Sequence, residues 1–322
     1  MAEFPPSQPN EPLTLKKWIV GLAFAISAQA LFGTTFAFNK LVINQGVDPI
    51  LLGFNRMGLV ALCFLPLYWL QKKKIVWKRK TWRQAALVGG IYCTLGMILE
   101  YVGTKFTTAS NASLIISTEA VFSIFLSVII LKERLNAPNI AGGMGAVIGV
   151  FLVVLEDLHG MEFRLGGALF GDFMVLASVI SWGLYTIFSK RVLDDSDPIQ
   201  AMLFVSLFSF ASFGVINAAT DRLPGIWEMS WKSWLVTIYL GAGCSGLGHF
   251  LYYNALKCLP ASIVCMTLTL LPVFGVIFSI FLLQETLTVA KTMGTAVIIA
   301  GVAFAVWPRN HQPPPVLPEP IG

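Results

Sequence analysis

Long apolar runs alternate with short polar breaks along this chain. Ten runs can be delimited: Trp18 to Phe38, Pro49 to Leu70, Ala85 to Thr104, Ala109 to Leu131, Ile140 to Leu155, Ala168 to Phe188, Ile199 to Ala219, Trp234 to Leu256, Ala261 to Leu283 and Ala290 to Trp307. A hydrocarbon core ~30 Å thick needs a helix of about 20 mostly apolar residues. Strands that cross a bilayer alternate apolar and polar positions over ~10 residues, whereas these runs are continuously apolar. The pattern predicts an all-α polytopic membrane protein with ten transmembrane helices.

Composition agrees. The chain has 322 residues, of which 56% are hydrophobic and 12% charged, and its mean hydropathy is +0.74; an ordinary soluble domain is about 25% charged. The ends, MAEFPPSQPNEP and HQPPPVLPEP, are Pro-rich and polar and read as disordered tails. The first lacks a basic region joined to a short apolar core and a small-residue cleavage site, so no cleaved signal peptide is expected. Cys63, Cys93, Cys244, Cys258 and Cys265 lie in or at the ends of apolar runs without CxxC spacing. Neither a zinc site nor a disulfide framework is suggested, and no metal or other cofactor is expected.

Charge sets the orientation. The break after the second run, QKKKIVWKRKTWR, gathers Lys72, Lys73, Lys74, Lys78, Arg79, Lys80 and Arg83, and such a loop stays in the cytoplasm. Placing it inside also puts Lys16, Lys17, Lys132, Arg134, Lys190, Arg191, Lys257 and Arg309 inside, with both termini cytoplasmic. Read alone, KKKIVWKRK resembles a nucleic-acid patch. Between two spans it reads instead as a topology signal in contact with anionic membrane lipid, and no nucleic-acid partner is expected.

The chain is duplicated. At an offset of 152, Tyr101 to Val154 aligns with Tyr253 to Val306 without a gap, with identities at Tyr101, Lys105, Ala109, Ser110, Glu133, Gly142 and Gly149 among others. The same offset pairs Gly89 with Gly241 and Gly96 with Gly248, and an offset of 150 pairs Gly33 with Gly183 and Lys40 with Lys190. The expected organisation is a tail over 1–17, a first five-helix repeat over 18–156, a second over 168–307 and a tail over 308–322. Five is odd, so the second copy starts on the opposite side of the membrane. The result is two inverted five-helix repeats with a substrate site near the midplane between them, as in carriers; duplication retained only for stability is the alternative.

The stretches YVGTKFTTASNASLI and AVFSIFLSVIILKERL in the first repeat, with FLYYNALKCLPASIV and PVFGVIFSIFLLQETL in the second, resemble the EamA-type branch of the drug/metabolite transporter superfamily over nearly the whole chain. The resemblance implies an inner (plasma) membrane carrier of small metabolites or drugs, often outward. Its central cavity would be framed by the first, third, fourth, sixth, eighth and ninth helices. Members include exporters of amino acids, and more distant relatives carry nucleotide sugars or phosphorylated sugars. One departure is local: where the second repeat has Pro272, the first has Ala120 preceded by Glu119, so the helix-breaking residue is absent there.

An ionised acid at a helix centre in lipid costs about 2.5 to 3.5 kcal/mol on insertion scales, so Glu119 is expected to face the bundle interior. Asn111, Thr118 and Phe122 share its face. It is either a group that answers a cation or proton or a structural acid bonded to a neighbouring helix. Glu100, beside Tyr101 near the end of the third run, is read either as interfacially exposed or as a cavity group. His249 shares a face with Ser245, Tyr252 and Tyr253 and, as the repeat partner of Met97, can approach Glu100 across the pseudo-axis. A structural hydrogen-bonding role is its alternative. Arg56 is read as snorkelling or paired with an acid, and Trp182 as a stacking surface for substrate or as filling.

GAGCSG at Gly241 to Gly246 fits GxGxxG, yet it lacks a βαβ frame and a carboxylate ~20 residues on; close helix packing explains it. No P-loop, HExxH, GxSxG or paired intramembrane aspartates occur, which argues against an ATP-driven pump and a membrane-embedded enzyme. The expectation is a secondary transporter of small organic metabolites, amino acids or drug-like compounds, exporting or exchanging by alternating access. A nucleotide-sugar or phosphorylated-sugar exchanger is the alternative, with a channel or embedded enzyme behind it. A small-molecule substrate and membrane lipid are the expected partners; Glu119 is the site if a proton is coupled, and no oligomer is required.

Overall fold

The computed structural model describes residues 15–71, 78–107, 112, 115–116, 118–132, 135, 137–138, 140–145, 148–149, 167–271, 273–274 and 289–306, and every regular element among them is helical. The long helices are α1 (Leu15–Asn44), α2 (Pro49–Gln71), α3 (Arg79–Phe106), α4 (Glu119–Leu131), α5 (Gly167–Asp194), α6 (Pro198–Ala219), α7 (Trp231–Cys258), α8 (Ala261–Leu270) and α9 (Val289–Val306). Among the described residues α1, α2, α3, α5, α6 and α7 are long and apolar enough to cross a bilayer. Half of the expected fifth run, the second half of the ninth, Pro272 and Glu133 lie outside the described residues, as do most of the two tails.

Continuous apolar sequence becomes helix here because lipid offers the backbone no partners, so each segment must satisfy its own N–H and C=O groups. Polar residues in the breaks end the helices. Asp197 caps α6 by accepting from the Gln200 N–H at 3.0 Å, with Pro198 at the first helical position, where its missing N–H costs nothing. Asp48 does the same for α2 through the Ile50 N–H at 2.8 Å, after a turn at Gly46, whose φ is +91°. Asp48 also pairs with Arg222 beyond α6, tying two breaks together. Ser230 caps α7 through the Ser233 N–H at 3.1 Å.

The two halves interlock. α2 packs on α6, α3 on α5 and α1 on α7, so each close pair joins one repeat to the other. Without a hydrophobic drive in lipid, such contacts rely on small residues and close backbone approach. A Cβ on Gly103 would sit 2.7 Å from the Gly171 carbonyl oxygen, one on Gly171 the same distance from that of Gly103, and one on Gly89 only 2.1 Å from that of Val205.

Lys40 in α1 donates to the carbonyls of Thr104 and Thr107 at 2.7 and 2.6 Å, closing the C-terminal end of α3. Its repeat partner Lys190 in α5 donates to Leu256 and, at 2.8 Å, to Leu259, closing α7; these residues are Thr104 and Thr107 shifted by 152. The clasps lie at opposite ends of the bundle. Thr107 donates to Asp172 at the start of α5 at 2.6 Å, whereas Lys190 stands eighteen residues further along that helix, about 27 Å away at 1.5 Å per residue. Inverted repeats require that opposition.

Two local departures recur in both halves. α3 widens to π-helical turns over Val88–Cys93 and α7 over Tyr239–Gly248, a distortion common near functional sites. Helix α4 starts at Glu119 after a turn at Thr118, whose N–H bonds back to Ile115, although no proline stands there. At the corresponding place α8 tightens to a 3-10 turn over Leu268–Leu270. The unbroken helix expected from Ala109 to Leu131 is thus interrupted, and Glu119 occupies a helix start, where the N-terminal dipole favours an acid.

Candidate functional site

The widened helices α3 and α7, the start of α4 and the end of α8 surround a cavity of about 80 Å³ between the halves, completed by α1, α2 and α5. About 10 to 15 Å³ of such space admits one water, so it holds several.

Arg56, from the middle of α2, is 3% exposed and reaches into the cavity. Its guanidinium donates through Nε and Nη2 to the Ser245 hydroxyl at 3.0 and 2.7 Å and through Nη1 to Asn39 Oδ1 at 2.9 Å. The Tyr101 ring lies beneath it, 5.2 Å away. Expected to snorkel or to pair with an acid, Arg56 stays buried instead of snorkelling; its hydrogen-bond partners among the described residues are neutral, and the Glu100 carboxyl lines the same cavity.

Glu100 was read as interfacial if not in the cavity, yet it is 5% exposed and lines the cavity. A π-widened helix rotates residues beyond the bulge relative to an ideal one, and here Glu100 points inward. The Trp182 indole N–H donates to Glu100 Oε2 at 2.9 Å. The indole can approach because Gly96, one turn earlier on α3, leaves room: a Cβ there would sit 3.2 Å from the ring. Glu119 is 7% exposed, lines the cavity and makes no hydrogen bond among the described residues.

His249 lies opposite. Its Nδ1 is 3.1 Å from the Ser245 carbonyl; with Nδ1 donating there, the neutral ring leaves Nε2 as an acceptor. Phe32, Tyr185 and Trp182 surround it, with ring centroids at 4.7, 5.6 and 6.1 Å. Tyr252 completes this wall, its hydroxyl 3.0 Å from that of Thr186.

Of the residues singled out in the sequence, Glu119, Glu100, His249 and Trp182 meet around one cavity. Tyr253 is fully buried behind it with its hydroxyl 3.0 Å from that of Ser189, and Thr118 turns back to donate to the Ile115 carbonyl at 2.6 Å; neither lines the cavity. Asn111 lies outside the described residues. Sequence reasoning passed over Phe32, Asn39 and Tyr185 and undervalued Arg56. Two signals were present: Phe32 is the repeat partner of Trp182 at an offset of 150, and an arginine two turns inside an apolar run needs an interior reason. Among the described residues no cluster of His, Cys, Asp or Glu could hold a metal, and the five cysteines are free.

A buried cation, two buried acids and a ring-lined wall can hold a small solute that carries both charge and apolar surface.

Comparison with known proteins shows the family. The EamA-like transporter family model matches residues 19–155 and, a second time, 169–307. The chain is 26% identical over 296 residues to an uncharacterized transporter of Archaeoglobus fulgidus, covering 88% of this chain and 95% of the other. It is 24% identical over 306 residues to the uncharacterized transporter YetK of Bacillus subtilis, covering 93% and 90%. A Salmonella typhimurium protein described as "Probable amino-acid metabolite efflux pump" is 25% identical over 300 residues, covering 88% and 93%. A solved crystal structure superimposes with a TM-score of 0.69 at 17% identity, covering 90% of this chain and 96% of the other, a likeness of fold.

Proposed function

This chain belongs to the EamA-like transporter family, and from that premise we propose that it is a secondary carrier of small dipolar metabolites of the amino-acid type. The solute's carboxylate meets Arg56, its ammonium group meets Glu119 and Glu100, and its apolar part lies against Phe32, Trp182 and Tyr185. Transport is by alternating access in the inner membrane, outward or by exchange, with both termini in the cytoplasm.

The observation that carries this reading is Arg56. A guanidinium buried inside a membrane protein is costly to keep, and here its hydrogen bonds go to a hydroxyl and an amide rather than to a carboxylate. A carboxylate is the partner that matches its planar fork. The unpartnered Glu119 supplies the opposite pole. The Salmonella relative's printed name points to the same substrate class. A phosphorylated-sugar exchanger would also use Arg56, but the two acids beside it oppose a multiply charged anion, a nucleotide sugar included.

Proteoliposomes holding the purified chain test this directly. Loaded with a mixture of unlabelled L-amino acids, they should take up one or more labelled L-amino acids in a saturable counterflow that Arg56→Gln abolishes. Absence of counterflow for every member, or equal counterflow in the variant, overturns the assignment. Energy comes from the solute's own gradient or from a coupled proton at Glu119. In the second case Glu119→Gln loses the flux an imposed pH gradient drives while keeping exchange; unchanged gradient-driven flux removes the proton role.

A further inference from the structure

The first residues of α3 enclose a second cavity, about 240 Å³, lined by Arg79, Lys80, Arg83, Gln84, Leu87 and Phe188. We propose that it binds the phosphate of an anionic phospholipid headgroup in the cytoplasmic leaflet, with the start of an acyl chain against Leu87 and Phe188.

The charged end of the cavity is built for an anion. Arg79, Lys80 and Arg83 are exposed and make no hydrogen bond or ion pair among the described residues. They crowd one helix start, where their like charges repel one another. Lys78 precedes the helix in an extended conformation and provides no side-chain cap; its carbonyl takes the Thr81 N–H at 2.9 Å, which leaves the Arg79 and Lys80 amides without an acceptor among the described residues. Exposed first-turn N–H groups beside basic side chains form an anion seat. Thr81 is fully buried and donates to Asp195 at 2.7 Å, so that acid is held by a buried hydroxyl.

The opposite end is built for hydrocarbon. Arg79, Arg83 and Leu87 are spaced four residues apart, so they descend one face of α3 from charge to apolar surface. Phe188 of α5 closes that face, with the Arg191 guanidinium 5.3 Å from its ring. Trp82 packs edge-on against Phe204 of α6, ring centroids 4.8 Å apart, and fixes the helix start where interfacial aromatic residues anchor. Cations above and apolar side chains below match a lipid better than a free ion.

Native mass spectrometry of the purified full chain, equilibrated with equal amounts of phosphatidylglycerol and phosphatidylcholine of identical acyl chains, reads the preference. The wild type should retain phosphatidylglycerol roughly fivefold over phosphatidylcholine, a modest ratio for a few cations at a lipid surface. Arg79→Gln/Lys80→Gln/Arg83→Gln should bring that ratio to about one. Should the triple variant fail to fold, Arg83→Gln alone should lower the ratio while Lys16→Gln, an exposed cation elsewhere, leaves it. Equal retention in the wild type, or an unchanged ratio in both Arg83 variants, overturns the proposal. Displacement of the lipid by soluble glycerol phosphate at equal concentration would assign the seat to a free phosphate ester and overturn the lipid assignment. None of these outcomes depends on what the central cavity carries.

Discussion

The two halves of this protein place side chains at matching positions around the central cavity but give them different chemistry. Gly96 of the first half seats Trp182 and its partner Gly248 seats Phe32. Trp182 donates to Glu100, while at the mirrored place Phe32 lies 6.1 Å from Tyr252, the residue equivalent to Glu100. Glu119 corresponds to Leu271, Met97 to His249 and Cys93 to Ser245. Among the described residues the guanidinium and both carboxyl groups lining the cavity, Arg56, Glu100 and Glu119, come from the first half; the second supplies rings, hydroxyls and the imidazole. Duplication thus set where side chains go, and divergence set what they do. Shared features should be structural, and features confined to one half should govern the solute.

The largest effect breaks a shared feature unequally. Gly89→Ala puts a Cβ 2.1 Å from the Val205 carbonyl oxygen, a backbone atom, whereas Gly241→Ala meets Leu59 Cδ1 and Cβ at 2.8 and 2.9 Å, a milder clash that turning Cδ1 aside relieves in part. Overpacking costs about 1 to 3 kcal/mol; Gly89→Ala should reach the top of that range and Gly241→Ala the bottom, read from thermal unfolding in detergent.

Next comes a feature of the first half alone. Arg56→Gln removes the cavity's cation and should lower solute affinity by roughly a hundredfold, since losing one partner of a buried charge pair costs about 2 to 5 kcal/mol. Arg56→Lys, which keeps charge but not the fork, should recover only part of it. Equilibrium binding on the purified variants distinguishes the two.

A smaller effect follows from Trp182→Phe, which keeps the ring and deletes the donor to Glu100. A hydrogen bond to a charged group contributes about 1.5 to 3 kcal/mol, so solute affinity should fall by roughly tenfold. Phe32→Leu in the mirrored position should change it less than threefold, because no charge depends on that ring.

The smallest effect should be symmetric. Lys40→Met and Lys190→Met each leave helix-end carbonyls without a donor. Both should lower stability by about 1 kcal/mol and by equal amounts. A loss confined to one would show that the clasps are not equivalent.

Much of this arrangement was legible beforehand. Runs of apolar residues fixed helix existence because lipid leaves the backbone no other choice, and the offset of 152 revealed that the halves share a plan. Glu119, Glu100, His249 and Trp182 stood out as polar or ring-bearing groups in apolar surroundings. What escaped depends on rotation and on distant partners. The π-widened turn of α3 rotates Glu100 inward, and no period in the sequence announces it. Arg56 takes its partners from α1 and α7, seventeen and 189 residues away. The break before Glu119 forms without the proline that marks its counterpart, so the sequence cue was missing while the turn remained.

The account rests on a cavity reached from one end of the bundle at a time, and cross-linking one end measures that most directly. Thr107 and Asp172 touch at the end closed by Lys40. In a Thr107→Cys/Asp172→Cys variant, oxidation should abolish amino-acid counterflow in proteoliposomes and reduction should restore it. Counterflow that continues at full rate with the cross-link formed would contradict alternating access between these two halves.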